Sequence, residues 1–421
     1  MAASVAVAGA KRIVSNQRLQ PSVTITDTDT EMFVVRWSPD GAYVAAGAGD
    51  GSISVFSSTT GKMAFELQQG SAAALPATSL RFRPSNDATR TKNVLVSTNA
   101  VGAIQHWHVT SGKCLHTMVE ENDNQIFALD YRPDGMQFAT AGKDTFVRVY
   151  DEATKALAAS LKSGLGYGSS VTSGHSNRVF SVKFHPTDEN LLVSGGWDNT
   201  VQVWDVRAGH SVSSIFGPHL CGDGLDVCVD PKTKRTTMLA GSWRAEAPLE
   251  LWDLDSGKLL EQVPWKESLM ANQPCLLYAA QFSKSGASPA RFVAAGGSGA
   301  NEARVYDRMG GTMSSHAGVD RGPGNTALVG TVAGLARGVF SVDWSPVEEK
   351  VAIGTGDGSI RILQVVERKS GDEEEAQSGG DAECEGPKLV DVRAAEEDEV
   401  EAEPERDVWD EAKDGKSDDE S

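Results

Sequence analysis

Short apolar runs that alternate with polar residues, each closed by Gly, Pro, Asp or Ser, recur along the first 366 residues. One set ends in an aromatic: FVVRWSPDG (33–41), SLRFRP (79–84), FALDYRPDG (127–135), FSVKFHP (180–186), YAAQFS (278–283) and FSVDWSP (340–346), with a weaker copy in LDVCVDP (225–231). A second apolar run, a glycine-rich turn and a third run follow each time, as in YVAAGAGDGSISVF and LLVSGGWDNTVQVW. Period-two alternation predicts half-buried strands, and the Gly, Pro and Asp clusters predict tight turns. The third strands end at Phe56, Trp107, Tyr150, Trp204, Trp252 and Tyr306. A glycine stands five residues beyond each, at Gly61, Gly112, Gly209, Gly257 and Gly311, except in the third copy, which has Lys155.

The unit so described is four short antiparallel strands, repeated seven times. Such a unit cannot bury both faces alone, so copies must stack around an axis, and closing the ring removes the long exposed edges. The motifs GH (Gly174, His175), SPDG (38–41), RPDG (132–135) and WD (Trp204–Asp205, Trp252–Asp253) resemble the WD-repeat family over residues 15–366. The resemblance implies an all-β, seven-bladed propeller of four-stranded antiparallel blades. The seventh copy ends near Leu363 without a fourth strand, whereas Val23, Thr24 and Ile25 form an orphan strand ahead of the first copy. Residues 19–26 are therefore expected to close blade seven, giving a flexible N-terminus (1–18), a propeller (19–366) and a tail (367–421).

The resemblance also implies a structural hydrogen-bond tetrad, complete only in blade four: His175, Ser194, Asp198 and Trp204. A serine inside a strand is not placed as a nucleophile, so the same residues are not read as a catalytic triad. Blade three keeps Thr140, Asp144 and Tyr150. In blade two Val101 takes the aspartate position, and in blade five Glu246 does, which leaves those blades to packing.

Trp197, in SGGWDNT, sits in a turn, and Trp243 in AGSWRAEAP occupies the matching place in the next blade. Two readings stand: each indole covers a neighbouring glycine-rich turn, or the pair anchors a partner protein. A second row stands four residues before each first-strand aromatic: Phe33, Thr78, Phe127, Phe180, Leu225, Tyr278 and Phe340. These residues either plug the upper end of the ring or form an apolar collar around its mouth. The long interblade segments 164–175, 218–226 and 308–330 are expected to rim the same face.

Charge changes the picture only at the end of the chain. Residues 367–421 hold 23 acidic and 7 basic residues, which accounts for 16 of the 19 net negative charges and leaves the first 366 residues at −3. A segment so acidic and so poor in large apolar groups is expected to be disordered. It either solubilises the ring, folds back on basic turns, or attracts a basic partner of histone or ribosomal type. Trp409 is its one large apolar anchor, and Ser370 and Ser417 resemble acidophilic kinase sites.

Other matches subtract rather than add. The glycine strings at 296–300 and 354–359 fall in the repeat's own turns and open no helix, so no cofactor is expected. His106 and His108 share one side of a strand but lack a third ligand, so no metal is expected. The basic stretches 81–93 and 231–235 are read as solvated turns, and nucleic acid is not an expected partner. Five scattered cysteines and the absence of a 20-residue apolar stretch point to a reducing compartment without a membrane span. The function so indicated is a non-enzymatic scaffold that docks other proteins on one propeller face, with no small-molecule substrate. The expected site is the cytoplasm, with nucleus or cilium as alternatives.

Overall fold

A computed structural model describes residues 15–26, 30–67, 75–85, 93–119, 124–165, 171–266, 272–285, 290–309 and 326–368. All of them belong to the first of two units, Met1–Val390. Trp409, Ser370, Ser417, Gly311, the rest of the acidic tail, and residues 1–14 lie outside the described residues.

Seven four-stranded antiparallel sheets make up the described unit. In each, the first strand lies nearest the axis and the fourth outermost, as in blade four: Val179–Phe184, Leu191–Gly196, Thr200–Asp205 and His210–Phe216. Blade seven takes its outer strand from the other end of the chain. Gln17–Ile25 pairs antiparallel with Ile360–Glu367, from Gln17 opposite Glu367 to Ile25 opposite Ile360. Pro21 falls beside a register shift on this outermost strand, the place where a missing N–H is tolerated. Hydrogen bonds from the backbone N–H groups of Val35 and Trp37 to Ser341 Oγ (3.1 Å) and Asp343 Oδ2 (2.7 Å) then join blade one to blade seven.

The apolar clusters span neighbouring blades. Val179, Val182, Phe184 and Trp204 of blade four pack with Ala139, Ala141, Val147 and Val149 of blade three. Val193, Val201 and Val203 turn to Leu225, Val227 and Met238 of blade five. Because each strand alternates, one blade supplies both of its neighbours, which is why the units must stack to be stable.

In blades one to five the turn into the fourth strand holds a left-handed residue. Gly61, Gly112, Gly209 and Gly257 have φ between 65° and 75°, and Lys155 adopts 61° at the same place. A lysine there costs about 1 kcal/mol, but its ammonium pairs with Glu152 at 2.7 Å.

The basic stretch starting at Arg81 differs from a solvated turn. The inner strand Ala77–Phe82 includes Arg81, so alternation points its guanidinium at the axis, where it meets Asp130 (3.1 Å) and Asp223 (2.9 Å). Arg83 reaches buried Glu152 at 3.2 Å. His106 is also in that network, with Nε2 3.1 Å from Glu152, while half-buried His108 bonds Ser111.

Candidate functional site

The face carrying the turns between second and third strands holds the aromatic residues. Phe33, Phe127, Phe180, Tyr278 and Phe340 each fall at a register shift between the first and second strands of their blades. The shifted residue is left out of the ladder, and a bulge of this kind re-aims its side chain. In blades three and four the residue opposite the bulge is a glycine with no room for a side chain, whereas blades one and seven carry Ala48 and Thr355 there. A Cβ on Gly196 would stand 2.1 Å from the Arg178 carbonyl oxygen, and one on Gly142 would stand 2.0 Å from that of Gln125.

The five rings form two walls. Phe127 and Phe180 stack with centroids 4.6 Å apart, and opposite them Phe340 contacts Phe33 at 5.7 Å and Tyr278 at 5.3 Å. All five are half-buried, and the space between the walls is a cavity of about 430 Å³ at the mouth of the channel. Blade five departs from the pattern. Its first strand pairs without a shift, Leu225 is buried, and Cys221, Gly222 and Asp223 of the preceding loop line the mouth instead.

Trp197 continues one wall outward. Its ring lies 5.2 Å from Phe180 and is nearly parallel to His219, at 6.4 Å and 11°. His219 in turn lies 6.4 Å from Trp243, so the two indoles are bridged by an imidazole. The result is a continuous aromatic ladder from the mouth to the rim: Phe127, Phe180, Trp197, His219, Trp243. Trp197 is half-buried with its indole N–H beside the Cys221 thiol and without a hydrogen-bond acceptor, and Trp243 is 37% exposed. The Arg178 guanidinium covers the Trp197 ring at 5.3 Å. His219 donates to Asn199 Oδ1 at 2.7 Å, and burial together with Arg244 lowers its pKa, which favours the neutral ring at neutral pH. His219 was not legible as a site residue. Its only signal is the segment PHLCGDGLD, read as a rim loop.

Beneath the walls one carboxylate ties the ring across its axis. Asp223 accepts from Arg36 of blade one, Arg81 of blade two (2.9 Å), Lys183 (3.1 Å) and Ser181 (3.3 Å) of blade four, and Gln281 of blade six (3.2 Å). Burial alone would raise its pKa, but Lys183 and Arg81 hold it well below the usual carboxylate range. The same loop thus supplies His219 to the ladder, Cys221 to the mouth and Asp223 to the axis.

The blade-four tetrad lies behind Trp197. His175 Nδ1 is 2.8 Å from Asp198 Oδ2, its Nε2 is 2.7 Å from Ser194 Oγ, and the Trp204 indole N–H donates to that hydroxyl at 2.7 Å. Ser194 is fully buried, so it has no access to a substrate. Blade two keeps half of this arrangement, with Trp107 donating to Ser97 Oγ at 2.9 Å. In blade five, Glu246 is exposed and Glu250 takes the Trp252 indole N–H at 3.2 Å. Among the described residues no group of three His, Cys, Asp or Glu converges as a metal would require, and no helix is long and apolar enough to cross a membrane.

The family described as "WD domain, G-beta repeat" matches residues 112–151 and 168–205, and "Anaphase-promoting complex subunit 4 WD40 domain" matches 10–85. Similar curated proteins include the WD repeat-containing protein slp1 of Schizosaccharomyces pombe, 24% identical over 61% of this chain and 46% of that protein. The Periodic tryptophan protein 2 homolog of Dictyostelium discoideum is 26% identical over 42% of this chain and 17% of its own length. The guanine nucleotide-binding protein subunit beta of Zea mays is 26% identical over 40% of this chain and 43% of its own. The chain therefore spans less than half the length of these relatives. Seven four-stranded blades, repeated motifs and these matches together make the chain a WD-repeat β-propeller.

Proposed function

We propose that this propeller is a non-catalytic scaffold that docks partner proteins on its aromatic face as one member of a larger assembly. One observation carries the reading. An aromatic ladder with a 37% exposed indole at its rim leads into an aromatic-walled cavity of about 430 Å³, within the range of ligand pockets. Large aromatic side chains held on rigid strands are the usual anchors of protein interfaces. Relatives named as a G-protein β subunit and as a WD repeat-containing protein fit a binding role. Free cysteines at positions 114, 221, 228 and 275 suit the cytoplasm or nucleus.

A second reading rests on charge. The 55 residues from 367 hold 16 of the 19 net negative charges and would bind basic proteins through long-range attraction. Affinity capture from native lysate separates the two, with intact protein, a Trp197→Ala/Trp243→Ala double variant and a chain ending at Arg368 as baits. Partners lost with the double variant and retained after truncation support the aromatic face. Partners lost only on truncation, and released by moderate salt, would assign the binding to the tail instead.

A further inference from the structure

The chemistry of the mouth cavity selects among possible partners, an inference that rests on the docking role above. A cavity of about 150 Å³ is enough for a benzene ring, so about 430 Å³ between two aromatic walls accepts a large aromatic side chain with room for an aliphatic neighbour. Asp223 is the only carboxylate lining it among the described residues. Both of its oxygens are committed, one to Lys183 and Ser181, the other to Arg36, Arg81 and Gln281. A cationic anchor would find no free acceptor there and would approach three buried cations.

Outside the mouth the balance has a direction. Arg178 lies over Trp197 and has no carboxylate partner among the described residues. Asp198, which follows Trp197 in the chain, is engaged by His175, the Ser176 N–H and the Thr200 hydroxyl. A guanidinium stacked on an indole, with its N–H edge unclaimed, is a ready partner for a carboxylate. We propose that the aromatic face binds an extended acidic peptide whose Trp, Phe or Tyr side chain fills the mouth cavity while a flanking Asp or Glu pairs with Arg178 beside the ladder.

The test is a selection of phage-displayed random peptides on the full-length chain, followed by anisotropy of the fluorescein-labelled consensus peptide. The expected consensus holds one aromatic residue with Asp or Glu close by, and replacing that aromatic by alanine weakens binding about tenfold or more. Arg178→Glu, a surface change whose folding is checked by thermal denaturation, should convert the preference from acidic to basic flanks and leave the aromatic requirement intact. Cys221→Trp, which fills the mouth, should abolish binding of the peptide. A basic consensus on the unaltered protein, a consensus without an aromatic, no enrichment, or an unchanged preference in Arg178→Glu would overturn the proposal. If lysate partners still depend on Trp197 and Trp243 under any of those results, the docking role stands and only this partner chemistry falls. If they do not, both fall.

Discussion

Single residues in this ring are held by specific polar contacts as much as by burial. Ser194 receives the Trp204 indole N–H and meets His175, so Ser194→Ala strands two buried polar atoms. The expected loss is about 1–3 kcal/mol, read as a lower urea midpoint. A value within error of zero would show that the tetrad is not structural. The two tryptophans should separate in the same measurement. Trp197→Ala removes a half-buried ring packed on Phe180 and His219 and should lower the midpoint, whereas Trp243→Ala, at the rim, should hardly move it. The collar positions were legible because the repeat places a large aromatic four residues before the inner-strand aromatic in five of the copies, at Phe33, Phe127, Phe180, Tyr278 and Phe340. Their direction was not, because a bulge depends on which partner residue is skipped, and pairing register is not written locally. Gly196→Ala tests that point. The added methyl collides with the Arg178 carbonyl, so the variant should lose stability and shift the near-UV signal of Trp197.

At the scale of elements, two segments distant in sequence complete the fold. The strand Gln17–Ile25 covers what is otherwise the open edge of Ile360–Glu367. Deleting residues 1–26 should expose that edge and produce oligomers or aggregate on gel filtration; a monodisperse monomer of unchanged stability would contradict this role. The need for such a strand could be read from the sequence, since the seventh copy lacked a fourth strand. The role of the 218–224 loop could not. Asp223 stands among glycines in CGDGLD, and only ring closure brings Arg36, Arg81 and Lys183 to it. Asp223→Ala leaves those cations facing one another across the axis. It should cost about 3–5 kcal/mol, with Asp223→Asn also destabilising because the charge is what the three cations require.

The whole propeller should respond to acid in a defined direction. Burial would raise the pKa of Glu152, but the hydrogen bond from His106 and the pairing with Lys155 bring it down to about 2 from 4.5. His106 is lowered from 6.5, chiefly by burial. Both groups bind fewer protons folded than unfolded, so their stabilisation is complete above the unfolded values and fades as pH falls. Stability should decline modestly below pH 6.5 and more steeply from 4.5 toward 2, by on the order of 3 kcal/mol for Glu152. Urea midpoints across that range, with Glu152→Gln flattening the lower limb, provide the check. Seven copies of one pattern made the ring legible at this scale, since each copy predicts its neighbour's need for a partner.

Docking on the aromatic face is tested most directly by site-specific photocrosslinking in native lysate. A benzophenone side chain is placed either at exposed Glu246, on the Trp243 turn, or at Val347, 55% exposed in a turn of the opposite face. Adducts to discrete proteins from position 246, absent from position 347 and removed by Trp197→Ala/Trp243→Ala, are the predicted result. Adducts from 347 alone, or from 246 undiminished by the double substitution, would contradict it.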